Sequence, residues 1–313
     1  MLILEEIKKT YRSGAKKVEA LKGITITINP GEITVILGPN GAGKTTLFKI
    51  IAGLIYPDVG KITIKGNFPK RKVAFVPTSE RSFYFRLSGW ENLYFFGALW
   101  RLSREAVKHR VQTLLSDYPM LNFGEDLLNR PYMTYSRGEK QKLNLIRAFI
   151  MEANILLLDE PTSFTDPLSS NEILNFIRVY RKNREVCILY ATHNLPEAEN
   201  IADRVILLKN GNIIGDMGKR ELQEISKRSY IKITTDSNNF EKLKHINWND
   251  RKVFSFANSL FIEIDSKEDK DKLYKNILTK IQNANIVADI SIEPARLEHL
   301  FIREMKEEKD NVS

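Results

Sequence analysis

The stretch ITVILGPNGAGKTTLFKIIAG, residues 33–53, fixes the class of fold. It begins with a β-rich apolar run, Ile33 to Leu37, and continues beyond Lys44 with the amphipathic spacing of a helix. Between the two, glycines at 38, 41 and 43 precede a lysine and two threonines. This is G-x-x-x-x-G-K-[ST] in the setting it needs, a strand before and a helix after. Glycines let successive N–H groups converge on phosphate oxygens. The loop residues Pro39, Asn40, Gly41, Ala42 and Gly43, with Lys44, Thr45 and Thr46, are therefore expected to hold a nucleotide. Lys44 would reach the β and γ phosphates and Thr45 would ligate Mg²⁺. Alone, the loop specifies only a nucleoside triphosphate.

A second signal lies far downstream in NILLLDEPTSFTD, residues 154–166. Ile155 to Leu158 form an apolar run that ends in two carboxylates, and strand C-termini are where ligands sit in open α/β sheets. Asp159 is placed to hold Mg²⁺ and Glu160 to polarise an attacking water. VCILYATHN, residues 186–194, gives another apolar strand ending at His193, in position to touch a γ-phosphate. In YSRGEKQ, residues 135–141, Ser136 and Gly138 stand just ahead of a helical segment, where free N–H groups suit an anion.

In this order the pieces resemble the ATP-binding cassette of ABC transporters. GPNGAGKTT matches the family's Walker A loop and ILLLDEPT its Walker B; YSRGEKQ resembles the signature motif, SFTD the D-loop and ATHN the switch histidine. The likeness covers roughly residues 1–220. It implies an α/β P-loop domain with a RecA-like core, an antiparallel β subdomain and a helical subdomain. Lys44, Glu160 and His193 become the expected catalytic residues, and Tyr11 the aromatic side chain that stacks on adenine. In the family, signature residues cap a nucleotide held by the other subunit, so Ser136, Gly138 and Asp166 would act across a homodimer that encloses two ATP molecules.

The sequence departs from the family pattern in several places. The family's glutamine after the strand VAFVP is replaced within PTSERSF: Thr78 takes the position by direct count and would serve as the third metal-site residue, or Ser79 does if one residue is inserted. Arg137 and Glu139 stand for the usual glycine and glutamine of the signature, and Phe164 and Thr165 alter the D-loop. FYFRLSGWENLYFFGALWRLS, residues 83–103, is dense in aromatics; Trp90, Leu93, Phe96 and Trp100 follow the spacing of a buried helical stripe. In the family this region receives the membrane partner, and the run looks most like cassettes of ABC-2 type exporters.

Beyond residue 225 the pattern changes. Strand, helix, two strands, helix and strand follow in turn, which predicts a small α+β, ferredoxin-like unit. The expected division is a 1–225 ATP-binding domain and a 226–313 accessory domain for regulation or dimer contact, with a last helix from about Ala295 to Met305 opened by Pro294.

Composition sets the remaining limits. The chain has 313 residues, 42% of them hydrophobic, and a net charge of +9 spread among acidic residues, so no nucleic-acid partner is expected. Its one cysteine, Cys187, excludes an internal disulfide and sits in an apolar run, as a buried structural thiol would. No apolar run approaches the ~18 residues of a membrane span. These features predict the ATPase subunit of an ABC-2 type exporter at the cytoplasmic face of a separate integral membrane permease. The rival readings are a cassette acting on the ribosome or nucleic acid, and an ATP-sensing scaffold that does not hydrolyse.

Overall fold

The computed structural model describes residues 1–14, 16–66, 73–78, 83–182, 184–248, 251–264 and 269–310. Two compact units emerge, Met1–Asp216 and Met217–Ser313.

The first unit opens with a long hairpin, β1 (Leu2–Ser13) and β2 (Lys16–Ile28), before the short strand β3 (Ile33–Leu37) and helix α1 (Lys44–Ile51). β4 (Val59–Ile64) returns to the hairpin, pairing antiparallel with β1 to give a three-stranded sheet. β5 (Val73–Val76) leads to four helices, α2 (Gly89–Leu99), α3 (Arg104–Asp117), α4 (Glu125–Asn129) and α5 (Arg137–Phe149). After them come β6 (Ile155–Asp159), α6 (Pro167–Lys182), β7 (Cys187–Thr192), α7 (Leu195–Ile201), β8 (Arg204–Lys209) and β9 (Asn212–Gly218). The six-stranded sheet has the order β5-β6-β7-β3-β8-β9, and β5, β6, β7, β3 and β8 run parallel.

This topology explains why β3, β6 and β7 read as unbroken apolar runs. The β1–β2 hairpin and α1 share one core cluster with residues of these strands, no residue of the three is left to face water, and all three are buried throughout. Their register sets the site: Leu37 pairs with Thr192 and Asp159 with Ala191, so the three strands end level. Cys187 is 1% exposed, and burial pushes its thiol up from the ordinary value, as expected of a structural cysteine.

Local signals fix the helix starts. Ser88 and Ser136 each cap a helix by accepting from the N–H three residues on, while Glu91 and Glu139 reach back to the Ser88 and Ser136 N–H groups. The helical stripe expected at 90–100 is only partly buried. Trp90 and Leu93 are, but α2 ends at Leu99, so Trp100 falls on its C-cap and stays exposed.

The second unit starts with α8 (Lys219–Ser226), then β10 (Ser229–Thr235), α9 (Ser237–Lys244), β11 (Val253–Phe256), β12 (Ser259–Ile264), α10 (Lys270–Asn283), β13 (Ala288–Pro294) and α11 (Leu297–Asp310). The sheet order β11-β12-β10-β13, antiparallel at every pairing, is the ferredoxin-like arrangement. Leu273, Ile277 and Ile281 of α10 pack with Phe240 and Leu243 of α9 on one face of that sheet. Pro294 closes β13 rather than opening a helix, because α11 starts at Leu297. His299 of α11 lies against the rings of Tyr230, Phe254 and Phe261 on the sheet.

Candidate functional site

The loop from Gly38 to Gly43 links the end of β3 to α1, and its glycines are there for stated reasons. Gly41 and Gly43 have φ of 82° and 111°, in the region open to glycine. A side chain on Gly43 would also come within 2.6 Å of the Ala20 carbonyl. The loop therefore closes tightly against β2 and leads into α1, which has no side-chain cap of its own. Uncapped amides at a helix N-terminus attract an anion.

Lys44 is 5% exposed; its Nζ donates to the Gly38 carbonyl at 2.7 Å and the Pro39 carbonyl at 3.2 Å, and lies 3.6 Å from Glu160 Oε1. Burial lowers its pKa, while Glu160 and Asp159 pull it back up. Thr45 Oγ1 donates to Asp159 Oδ2 at 2.8 Å. Burial raises the Asp159 carboxyl, and the Thr45 hydrogen bond works against that rise. Thr78 sits just past β5, where its hydroxyl donates to the Asp159 carbonyl at 3.0 Å. It touches the carboxylate residue's backbone and not its oxygens. The alternative position, Ser79, lies outside the described residues.

Glu160 has φ of 49°, a left-handed conformation that costs a non-glycine residue about 1–3 kcal/mol. It turns the chain out of β6 so that the carboxylate meets His193 Nδ1 at 2.9 Å and accepts from Ser163 Oγ at 3.0 Å. Burial acts to raise this carboxyl, but the bonds from His193 and Ser163 and the charges of His193 and Lys44 together hold it below its ordinary value. Ser163 is a partner that no local motif marks.

An open cleft of about 640 Å³ faces this cluster. It is lined by Asn40 to Thr46 and Glu160, and also by Lys17, Val18, Glu19, Ala20 and Lys22 of β2 and by Asn210. The β2 residues and Asn210 escaped sequence reading because no local motif marks them; they arrive through the hairpin and the β8–β9 turn. Tyr11 is exposed on β1, paired with Val18, and is not among the cleft-lining residues.

Ser136, Gly138 and Asp166 gather elsewhere. Gly138, in the first turn of α5, has no room for a side chain: a Cβ would collide with Ser169 Oγ and stand 2.9 Å from Ser169 Cβ. Ser169 in turn donates from Oγ to Asp166 Oδ2 at 2.7 Å and from its N–H to Asp166 Oδ1 at 2.9 Å. Arg137 lies over the ring of Phe164, 5.9 Å from its centre, so the two departures from the family pattern are partners.

A phosphate loop, a strand-end carboxylate pair and a histidine just past the third strand define a P-loop nucleotide-hydrolysing domain. Residues 21–163 match the ABC transporter family. The ABC transporter ATP-binding protein NatA of Bacillus subtilis is 34% identical over 68% of this chain and 88% of its own length. The linearmycin resistance ATP-binding protein LnrL of the same organism is 30% identical over 96% of this chain and 97% of its own. A bacterial ABC transporter cassette solved as a dimer is 25% identical, with a TM-score of 0.62 over 70% of this chain and 99% of that one. The chain belongs to the ABC transporter family. It is an ATP-binding, ATP-hydrolysing subunit, and the ribosomal or nucleic-acid alternative is not the reading these relatives support.

Proposed function

We propose that this chain is the motor subunit of an ABC-2 type exporter, working as a homodimer on a separate integral membrane permease at the cytoplasmic face. The observation that carries this reading is the contact of Lys44 and His193 with Glu160 and of Thr45 with Asp159 in one cluster beside the cleft, while Ser136 and Gly138 stand apart at the start of α5. The start of α5, capped by Ser136 and absent from the lining of the cleft in its own subunit, would offer the Ser136 hydroxyl and its first-turn amides to the γ-phosphate of a partner's nucleotide. The LnrL likeness, which spans nearly the whole of both chains, supports export and a role for the second unit in the same machine. Among the described residues no helix is long and apolar enough to cross a membrane, so the substrate path would belong to another chain.

Thr45 and Asp159 offer hard oxygens already 2.8 Å apart, a fit for Mg²⁺, which takes few protein ligands beside substrate phosphates. When bound, the ion neutralises charge on the β and γ oxygens. Lys44 would exchange its loop carbonyls for phosphate oxygens. Glu160, kept ionised, orients and deprotonates the attacking water, and His193 holds Glu160 and contacts the γ-phosphate. Tyr11 would stack on adenine from the hairpin. The second unit, taken as an accessory domain, would serve regulation or dimer contact.

Glu160→Gln keeps the shape and removes the base. It should accumulate as an ATP-bound dimer on size-exclusion chromatography with light scattering. Normal turnover and a monomeric profile in that variant would remove Glu160 from the reaction.

A further inference from the structure

One side-chain pair on α5 joins the nucleotide cleft to the aromatic surface of α2. Asn144 and Arg147 lie one turn apart, and Arg147 Nη2 donates to Asn144 Oδ1 at 2.6 Å. Asn144 is 2% exposed, and its Nδ2 reaches the Pro77 carbonyl at 3.4 Å. Pro77 is followed by Thr78, whose hydroxyl holds the Asp159 carbonyl. On its other side, the Arg147 guanidinium stands 4.9 Å from the centre of the Phe83 ring and 4.8 Å from that of Phe96, two rings that meet edge to face. The contacts run on from Phe96 to Phe95 and from Phe95 to Tyr84, which face solvent. Lys140, two turns before Arg147, lies in the same way over Phe85 and Tyr132.

The chemistry of this pair is directional. An aliphatic side chain would fill the space between two rings without desolvating a charge. A guanidinium instead presents its face to the rings and its edge to an acceptor. Burial pushes Arg147 down to about 10, which still leaves it charged at neutral pH. The rings and Pro77 are therefore linked, since each contacts one of two groups that are bonded to each other. Pro77 and Phe83 both belong to the stretch between the end of β5 and the start of α2.

We propose that Asn144 and Arg147 form a positioning clamp that carries movement between the Thr78–Asp159 edge of the nucleotide site and the exposed aromatic patch of α2. The inference rests on the ATPase reading above. Neither residue touches nucleotide; each acts through Pro77 and Phe83.

The test uses the full chain with Trp248→Phe, so that Trp90 and Trp100, the other two of its three tryptophans, report on α2. ATP with Mg²⁺ is titrated while tryptophan emission is followed, and ATP affinity is measured separately by competition with a fluorescent nucleotide. Asn144→Ala and Arg147→Met should each change ATP affinity less than about threefold yet lose at least half of the emission change. Arg147→Lys should recover part of it, and the double variant should lose no more than the worse single, as partners in one link do. Undiminished emission change in folded Asn144→Ala would overturn the clamp, and so would the absence of any response in an unaltered chain that binds ATP. If the unaltered chain binds no ATP, the ATPase reading falls first and the clamp with it. Should Arg147→Met fail to fold, Asn144→Ala, which removes no ring contact, still decides.

Discussion

Gly138→Ala probes a point at the start of α5 where the structure leaves no room for a side chain. The added methyl would collide with Ser169 Oγ and lie 2.9 Å from Ser169 Cβ, while that hydroxyl is committed to Asp166 at 2.7 Å. Overpacking of this kind costs about 1–3 kcal/mol, and alanine returns up to ~1 kcal/mol of helix propensity. The net loss is roughly 0–3 kcal/mol, which lowers Tm by up to about ten degrees in a unit of this size. Activity should suffer more than stability. Displacing the first turn of α5 withdraws amides from the γ-phosphate in the proposed dimer, and a hydrogen bond to a charged group is worth about 1.5–3 kcal/mol. The predicted fall in kcat/KM is therefore roughly tenfold to a hundredfold, read by phosphate release over a range of ATP concentrations. Ser169→Gly makes room for the methyl and keeps the backbone N–H that bonds Asp166 Oδ1. In the Gly138→Ala background it should recover most of the activity. Full activity in Gly138→Ala, or no recovery in the double variant despite a native fold, would refute the steric account.

Other consequences follow from single groups. Lys44→Ala removes the buried donor beside Glu160 and should lower kcat/KM at least about a hundredfold in the same assay; unchanged turnover would contradict the loop assignment. His299 is 4% exposed, and burial lowers its pKa despite the opposing Glu293, so the folded protein binds its proton less readily than the unfolded chain. Its stabilising contribution is complete above the ordinary histidine value near 6.5 and is lost as pH falls below it. The thermal stability of the second unit should fall from pH 7.5 to 5.5, and His299→Phe should flatten that slope; an equal slope in both would place the titration elsewhere.

The nucleotide loop and the strand-end acids were legible because each is a local pattern: the glycines, Lys44 and Thr45 are contiguous, and Asp159 and Glu160 terminate an apolar run. The same holds for the second unit, where alternating strand and helix patterns gave the ferredoxin-like order. Long-range placement was not legible. Lys17 and Val18 reach the cleft only because the hairpin folds back over the loop, and Ser163 reaches Glu160 only because of the turn that follows β6. Trp100 fits the spacing of its neighbours but lies one residue past the end of α2, and helix ends are set by hydrogen bonds that spacing does not encode. The Asn144–Arg147 pair had no motif value, since its partners Pro77, Phe83 and Phe96 come from two other elements.

The central claim is that ATP turnover here drives a separate membrane protein. The most direct measurement is recovery of tagged Glu160→Gln from gently solubilised native membranes in the presence of ATP, with identification of what comes with it. A polytopic membrane protein that lacks a cassette of its own should come with it, in stoichiometric amount and lost when Lys44→Ala is added. Recovery of ribosomal or nucleic-acid components instead, or of the dimer alone under conditions where it holds ATP, would contradict it.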